Sequence, residues 1–333
     1  MKRFFQPVKE DGSFKKPSLS SADPLLSTVG DLVSVEGIHT VEAGERERRE
    51  PCKFLTWNAN SLLLRMKKDL PEFSNLVQTL DPDVIAIQEV RMPAAGPKGG
   101  QKNPSELKDD TCSSREEKQV IMRVLSSPPF QNYRVWWSLS DSKYAGTALL
   151  IKNRCKPKKV SFSLDGKASK HEPDGRVILA EFESFFLLNT YVPNNGWKDD
   201  ENSFQRRRKW DKRMLEFVVQ LDKPLIWCGD LNVSHQDIDV SHPDFFSNAK
   251  LNGYIPPNKE DCGQPGFTLS ERRRLSNILS QYRGKRMRID YFIVSEKLKD
   301  KIISCDMHGH GIELEGFCGS DHCPVSLELS QLT

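Results

Sequence analysis

Six short stretches of the chain set amides, carboxylates, a tyrosine or a histidine directly against a run of apolar residues. Asn58 and Asn60 follow Phe54-Leu55-Thr56-Trp57, and Gln88-Glu89 ends Val84-Ile85-Ala86-Ile87. Tyr191 and Asn194 follow Leu187-Leu188, and Asp230 and Asn232 follow Leu225-Ile226-Trp227-Cys228-Gly229. Asp290 stands beside Tyr291-Phe292-Ile293, and Asp321-His322 precedes Cys323-Pro324-Val325. Taken singly, each is an ordinary strand end, because Asp and Asn are common turn formers. A lone His322 is likewise more often a hydrogen-bonded structural residue than a catalyst. Turn chemistry, however, does not require functional side chains at all six places. If these ends converge, they form a cluster of carboxylates and amides with one imidazole. Such a cluster binds a hard divalent cation through oxygen and leaves the histidine free to meet a phosphate or a base.

Positioning such a cluster takes many strands. Apolar runs predict strands at Lys53–Trp57, Asp83–Val90, Tyr133–Trp137, Gly146–Ile151, Arg176–Glu183, Phe185–Tyr191, Pro224–Cys228, Arg288–Val294 and Pro324–Leu329. Helical spacing of Leu70, Phe73, Leu76, Val77 and Leu80 predicts one helix over 62–80, with others over 116–125 and 202–221. Ser270 is the expected cap of a last helix, Glu271–Ser280. Many strands with few interposed helices suggest two packed sheets covered by helices. Residues 91–117, rich in Pro, Gly, Lys and Asp, read as a surface loop or flexible insertion. Residues 1–50 lack apolar periodicity and read as a disordered arm ahead of a single domain at 51–333.

Composition narrows the possibilities further. The 333 residues carry a formal net charge of only +3, so the chain is not a polycation that coats nucleic acid indiscriminately. Basic runs at 156–159, 206–213, 272–274 and 285–288 are either solvated faces or contacts to a polyanion. Eight cysteines fall singly with no C-x-x-C pair, which argues against a zinc site or disulfide framework. No apolar run is long enough to span a bilayer, and no signal peptide begins the chain. The expectation is a reducing compartment, nucleus or cytosol, with an organelle left open.

The ordered series Trp57-Asn58-Ala59-Asn60, Ile87-Gln88-Glu89, Tyr191-Val192-Pro193-Asn194, Cys228-Gly229-Asp230-Leu231-Asn232-Val233, Arg288-Ile289-Asp290-Tyr291 and Gly319-Ser320-Asp321-His322-Cys323-Pro324 resembles the motifs of exonuclease III family apurinic/apyrimidinic endonucleases. The resemblance covers about 52–329, is closest to a plant branch, and is supported by Gly175-Arg176-Val177-Ile178 and Pro265-Gly266-Phe267-Thr268. It implies an α/β fold of the DNase I-like kind, a four-layer α/β sandwich in which two mixed β-sheets are flanked by helices. It also implies a Mg²⁺-dependent hydrolase, with Mn²⁺ as a substitute, that cuts the phosphodiester 5′ to an abasic site in double-stranded DNA and also processes blocked 3′ ends. Carried over motif by motif, Glu89 is the principal metal ligand, with Asp321, Asn60, Asp230 and Asn232 in the metal-binding group. Asp230 orients or deprotonates the attacking water, Asn58 and Asn232 hold that carboxylate and the phosphate in register, and Asn194 and His322 donate to the phosphate oxygens. Asp290 fixes the tautomer of His322, and Tyr191 lies near the leaving oxygen. Asn60 stands where family members have either Asp or Asn, so a second metal is not assumed.

Two departures stand out. The family places a loop and an aromatic strand before the Arg-x-Asp-Tyr strand, lining the sugar pocket and edging one sheet, whereas here Gln281 runs straight into Tyr282-Arg283. Trp197 stands where some members have an Arg that reaches into DNA; the indole either stacks on a base step or simply packs. Separately, Met1, Phe4 and Phe5 resemble the end of a sliding-clamp (PCNA) binding motif without its leading Gln. A monomer is expected. Two rival readings remain: the same fold acting on another phosphoester, or an impaired form that binds DNA or the clamp without cutting.

Overall fold

The computed structural model describes residues 49–331 except 98, 166–170, 196–200, 249–255, 283–288, 310–316 and 318. Met1, Phe4 and Phe5, Trp197 and the basic run at 285–288 therefore lie outside the described residues, as does most of the segment after Tyr282. Among the described residues, thirteen strands and six α-helices follow in the order β1 (Lys53–Asn58), α1 (Leu62–Lys68), α2 (Leu70–Leu80), β2 (Val84–Gln88), β3 (Ala94–Ala95), β4 (Asn103–Leu107), α3 (Cys112–Leu125), β5 (Tyr133–Ser138), β6 (Thr147–Lys152), β7 (Lys159–Ser161), β8 (Val177–Glu181), β9 (Phe186–Tyr191), α4 (Glu201–Val219), β10 (Leu225–Asp230), α5 (Pro243–Asn248), α6 (Leu269–Tyr282), β11 (Asp290–Val294), β12 (Ile302–Met307) and β13 (Val325–Leu329).

Six strands form one sheet in the order β12-β13-β1-β2-β6-β5, and five form the other in the order β11-β10-β9-β8-β7. Both are mixed: β1 runs parallel to β2 and β9 parallel to β10, while β1 and β13, β2 and β6, and β10 and β11 are antiparallel. Alternation along each strand divides its side chains between layers. In β1, Leu55 and Trp57 face the helical layer with Phe73, Val77 and Ile121, whereas Phe54 meets Ile178, Leu187 and Ile226 from the other sheet. On the far side, Leu188, Leu225 and Trp227 pack on Trp210, Met214 and Phe217 of α4 and Ile278 of α6. The result is the four-layer sandwich, with buried apolar cores on both faces of each sheet.

Several elements differ from the sequence expectation. The helix over 62–80 breaks at Asp69, where φ is −123° and ψ 17°. Pro71 can neither donate to the preceding turn nor clear the carbonyl four residues back, so the chain restarts as α2. Residues 91–117 carry the two-stranded sheet β3-β4 and the first turn of α3, whose cap is Thr111. That hairpin is polar and short, so it has no apolar alternation to reveal it. The start of α6 is capped by Thr268, whose Oγ accepts from the Glu271 N–H at 3.3 Å while Glu271 accepts from the Thr268 N–H at 3.2 Å. Ser270 instead donates to buried Asp261. Edge strands β7 and β12 were not anticipated; Lys159 and the run Ser304-Cys305-Asp306 hide them behind polar composition.

Candidate active site

The strand ends do converge. Parallel pairing puts Asn58 beside Gln88 and Tyr191 beside Asp230, and the antiparallel turn-back of β11 puts Asp290 beside Asp230. Gly229 makes this approach possible: its φ is +124°, and a Cβ there would lie 2.1 Å from the Thr190 carbonyl oxygen. Glu89, Asn60 and Asn232 leave their strands with φ of +52°, +45° and +49°, which turns each side chain inward from the strand end.

Asn58 is the hub. Its Nδ2 donates to Glu89 Oε1 at 3.0 Å and to Asp230 Oδ2 at 2.9 Å, and its Oδ1 accepts from the Asn60 N–H at 3.0 Å. Asn60 Nδ2 then donates to Asp321 Oδ1 at 2.8 Å. Asn232 approaches Asp230 from the other side, its backbone N–H 2.8 Å from Oδ1 and its Nδ2 3.3 Å from Oδ2, while Nδ2 also reaches the Val192 carbonyl at 2.8 Å. One continuous network thus links Asp321, Asn60, Asn58, Glu89, Asp230 and Asn232. A second unit faces it. His322 Nδ1 donates to Asp290 Oδ2 at 2.6 Å, and its Nε2 lies 3.9 Å from Asp230 Oδ2. The turn that carries His322 is pinned by Ser320, whose Oγ donates to the Asn58 carbonyl at 2.7 Å, and by Trp57 Nε1, which donates to the His322 carbonyl at 3.2 Å.

Burial sets the charges. Asp230 is fully buried; desolvation, opposed by nearby His322 and reinforced by Asp290 and Glu89, pushes its carboxyl up to about 6. Desolvation acts to lower His322, but the carboxylate and hydrogen bond of Asp290, with Asp230 and Asp321 nearby, outweigh it and raise the imidazole to about 10. The pair is therefore a carboxylate able to take a proton near neutral pH and a histidine that remains cationic.

Among the described residues, Asp230, Asp290 and His322 are the carboxylate and imidazole groups whose ligand atoms lie within 4.8 Å of one another. His322 Nδ1 is committed to Asp290, so this trio is better read as a catalytic pair plus its anchor than as a metal cage. The oxygen-rich wall of Glu89, Asp321, Asn60, Asp230 and Asn232 has the donor chemistry of a hard divalent cation. The residues present therefore fit such an ion.

Tyr191 is 3% exposed, with Arg176 4.8 Å above its ring and Arg176 Nη1 donating to its carbonyl at 3.1 Å. Asn194 is half-buried on the loop after β9. Three supporting residues escaped the sequence reading. Arg91 binds Glu89, Arg207 binds the Pro193 and Asn232 carbonyls at 3.1 Å each, and Glu271 accepts from Asn195 at 2.5 Å. Most arginines of the basic runs at 206–213 and 272–274 are paired internally. Arg208 pairs with Asp261, Arg213 with Glu172 and Asp165, Arg272 with Asp237, Arg273 with Glu260, and Arg274 with Asp211.

A four-layer sandwich with an acidic, amide-lined seat and an Asp-His pair where its strand ends meet defines a hydrolase of phosphate esters. The sequence of the Endonuclease/Exonuclease/phosphatase family matches residues 55–322. The chain belongs to that family, and within it to the exonuclease III-type apurinic/apyrimidinic endonucleases. It is 62% identical to a DNA-(apurinic or apyrimidinic site) endonuclease of Arabidopsis thaliana, over 99% of this chain and 97% of the relative. It is 33% identical to the enzyme of that name from Plasmodium berghei, over 87% of this chain and 65% of the relative. In fold it resembles the AP endonuclease of Leishmania major, with a TM-score of 0.61 at 20% identity, over 85% of this chain and 89% of that one. The Arabidopsis alignment runs over 363 positions, and this chain has 333 residues, so at least 30 positions of the relative have no counterpart here.

Proposed function

We propose that the chain hydrolyses the DNA phosphodiester 5′ to an abasic site, leaving a 3′-hydroxyl, and trims blocked 3′ ends with the same groups. The observation that carries this reading is the placement of Asn58 between Glu89 and Asp230, opposite the His322–Asp290 pair. Glu89, with Asp321 and Asn60 and the adjoining Asp230 and Asn232, would hold Mg²⁺, or Mn²⁺ in its place. The bound cation supplies Lewis-acid stabilisation of the charge that develops on phosphate and leaving oxygen. Asp230 takes a proton from the attacking water, its carboxylate aimed by Asn58 and Asn232. The water oxygen bonds to phosphorus as the P–O3′ bond breaks. Cationic His322, through Nε2, and Asn194 donate to the phosphate oxygens, and Tyr191 lies beside the departing O3′.

The test is incision of a duplex carrying one abasic-site analogue, with Mg²⁺ and with chelator. Metal-dependent incision by the native chain, lost in Glu89→Ala, is the expected result; no incision beyond chelator background refutes it. A second reading has its own support. At least 30 positions of the Arabidopsis relative have no counterpart here, and Asp290 Oδ1 is buried with no hydrogen-bond partner among the described residues. In that reading the chain binds abasic DNA without turnover, and tight binding with no product is its signature. Competition by phosphoinositide or RNA substrates tests whether the same cluster serves another phosphoester. The resemblance also supports a nuclear monomer whose arm, through Met1, Phe4 and Phe5, binds the sliding clamp; loss of clamp binding on alanine substitution of Phe4 and Phe5 is the check.

A further inference from the structure

Glu89 is 1% exposed, yet both of its carboxylate oxygens already have donors within the protein. Oε1 takes Asn58 Nδ2 at 3.0 Å, and Oε2 takes Arg91 Nε at 2.7 Å, with Arg91 Nη2 also against it. This fork is built into the backbone. Glu89 and Arg91 both have φ of +52°, and the turn is fastened by Val90 N–H to the Gly146 carbonyl at 3.0 Å and Arg91 N–H to the Ala145 carbonyl at 2.9 Å. The guanidinium is thereby held over Oε2 of Glu89, the oxygen that Asn58 does not bond, with its outer part partly exposed to solvent. A forked, charge-assisted pair of this kind satisfies a buried carboxylate without any metal.

We propose that Arg91 is an internal counter-ion of the metal seat: it occupies Glu89 Oε2 when no divalent cation is bound and competes with the cation for that oxygen, setting a threshold for metal loading. The inference rests on Glu89 being a metal ligand, as argued above. Two consequences follow from electrostatics. Removing a unit positive charge a few ångströms from a divalent cation strengthens binding even at an effective dielectric constant of roughly 20. Removing it also takes a charge-assisted donor from the buried Glu89 carboxylate, so the metal-free protein loses stability that metal binding restores.

The test is calorimetric titration of the full chain with Mn²⁺ and with Mg²⁺, without DNA, together with the metal-induced rise in Tm. Wild type is compared with Arg91→Met, Arg91→Gln, Arg91→Lys and Glu89→Gln. Arg91→Met should bind Mn²⁺ at least about tenfold more tightly and show the larger metal-induced rise in Tm. Arg91→Gln should show the same direction with a smaller gain, which serves if Arg91→Met does not fold. Arg91→Lys should stay within a few-fold of wild type. Unchanged or weaker affinity in both neutral variants, with the site lost in Glu89→Gln, overturns the proposal and makes Arg91 a residue that orients the ligand. Wild-type affinity in Glu89→Gln overturns it differently, by removing Glu89 from the metal seat altogether.

Discussion

The two halves of the site are built to different standards. On the wall formed by β1, β2 and β10, the carboxylates of Glu89 and Asp230 receive donors on both oxygens from Asn58, Arg91 and Asn232. On the opposite side, Asp290 gives one oxygen to His322 and has the other buried without a hydrogen-bond partner among the described residues. Asp290 opens β11, the terminal strand of its sheet among the described residues. The wall depends on strands in the middle of both sheets, each paired on two sides. The His322 side depends on β11, which among the described residues is paired on one side alone. The half of the site that rests on a sheet edge thus has fewer supports than the half that rests on the sheet centres.

The strongest way to break this comparison is through the wall. Asp230→Asn keeps shape and burial but removes the proton acceptor, and incision should fall on the order of 10³ to 10⁴-fold with little change in abasic-duplex affinity. A loss under tenfold in single-turnover assays would mean that the wall is not the catalytic side. The next largest effect should come from the edge. Inserting a segment of the kind the family resemblance implies after Gln281 should raise kcat/KM on the order of 10²-fold if that segment lines the pocket and supports Asp290. An insertion variant no faster than the native chain would show that the edge is already complete.

The His322 side gives a sharper, smaller effect in Asp290→Asn. His322 is raised in the folded protein to about 10 from an ordinary 6.5, so its contribution to stability is full below 6.5 and is lost as pH rises through about 10. Without the Asp290 charge the imidazole should titrate several tenths of a unit or more lower in an NMR pH series. The alkaline limb of kcat/KM should move down with it, and the acid limb, set by Asp230 near 6 and raised in part by the Asp290 charge, should move down as well. An unmoved His322 titration would show that Asp230, at 3.9 Å, holds the proton by itself.

The wall was legible in the sequence because each of its residues ends an apolar strand; Asn58, Glu89 and Asp230 are placed by strand pairing alone once β1, β2, β9 and β10 are recognised. The supports were not. Arg91 follows Glu89 at a spacing that has no meaning until the positive φ at both residues folds one over the other. Arg207 looked like one cation in a basic run, and only helix packing shows that it is 2% exposed. The polar hairpin β3-β4 and the edge strand β12 were invisible because edge strands lack the two buried faces that produce apolar alternation. Charge runs misled most: α4 and α6 spend their arginines on Asp211, Asp261 and Glu172 instead of displaying them.

Arg207 offers the smallest effect and the finest comparison. It sits on α4, behind the wall, and its Nη1 donates to the Pro193 and Asn232 carbonyls, so one guanidinium fastens the loop that carries Asn194 to the loop that carries Asn232. Asp211 Oδ1 holds Arg207 Nε at 2.9 Å, and Asp211 Oδ2 is held in turn by Arg274 Nε of α6 at 2.8 Å. Lysine keeps the charge but not the fork, so Arg207→Lys can bind Asp211 or the loops and not both at once. Incision should drop roughly tenfold through kcat, with KM nearly unchanged, because loops displaced by a fraction of an ångström still bind DNA but misalign water and phosphate. Arg207→Met, which leaves Asp211 half-paired in the core, should cost stability as well, lowering Tm by several degrees. Should Arg207→Lys instead raise KM alone, the clasp would belong to DNA binding, and the wall would owe its alignment to the strands themselves.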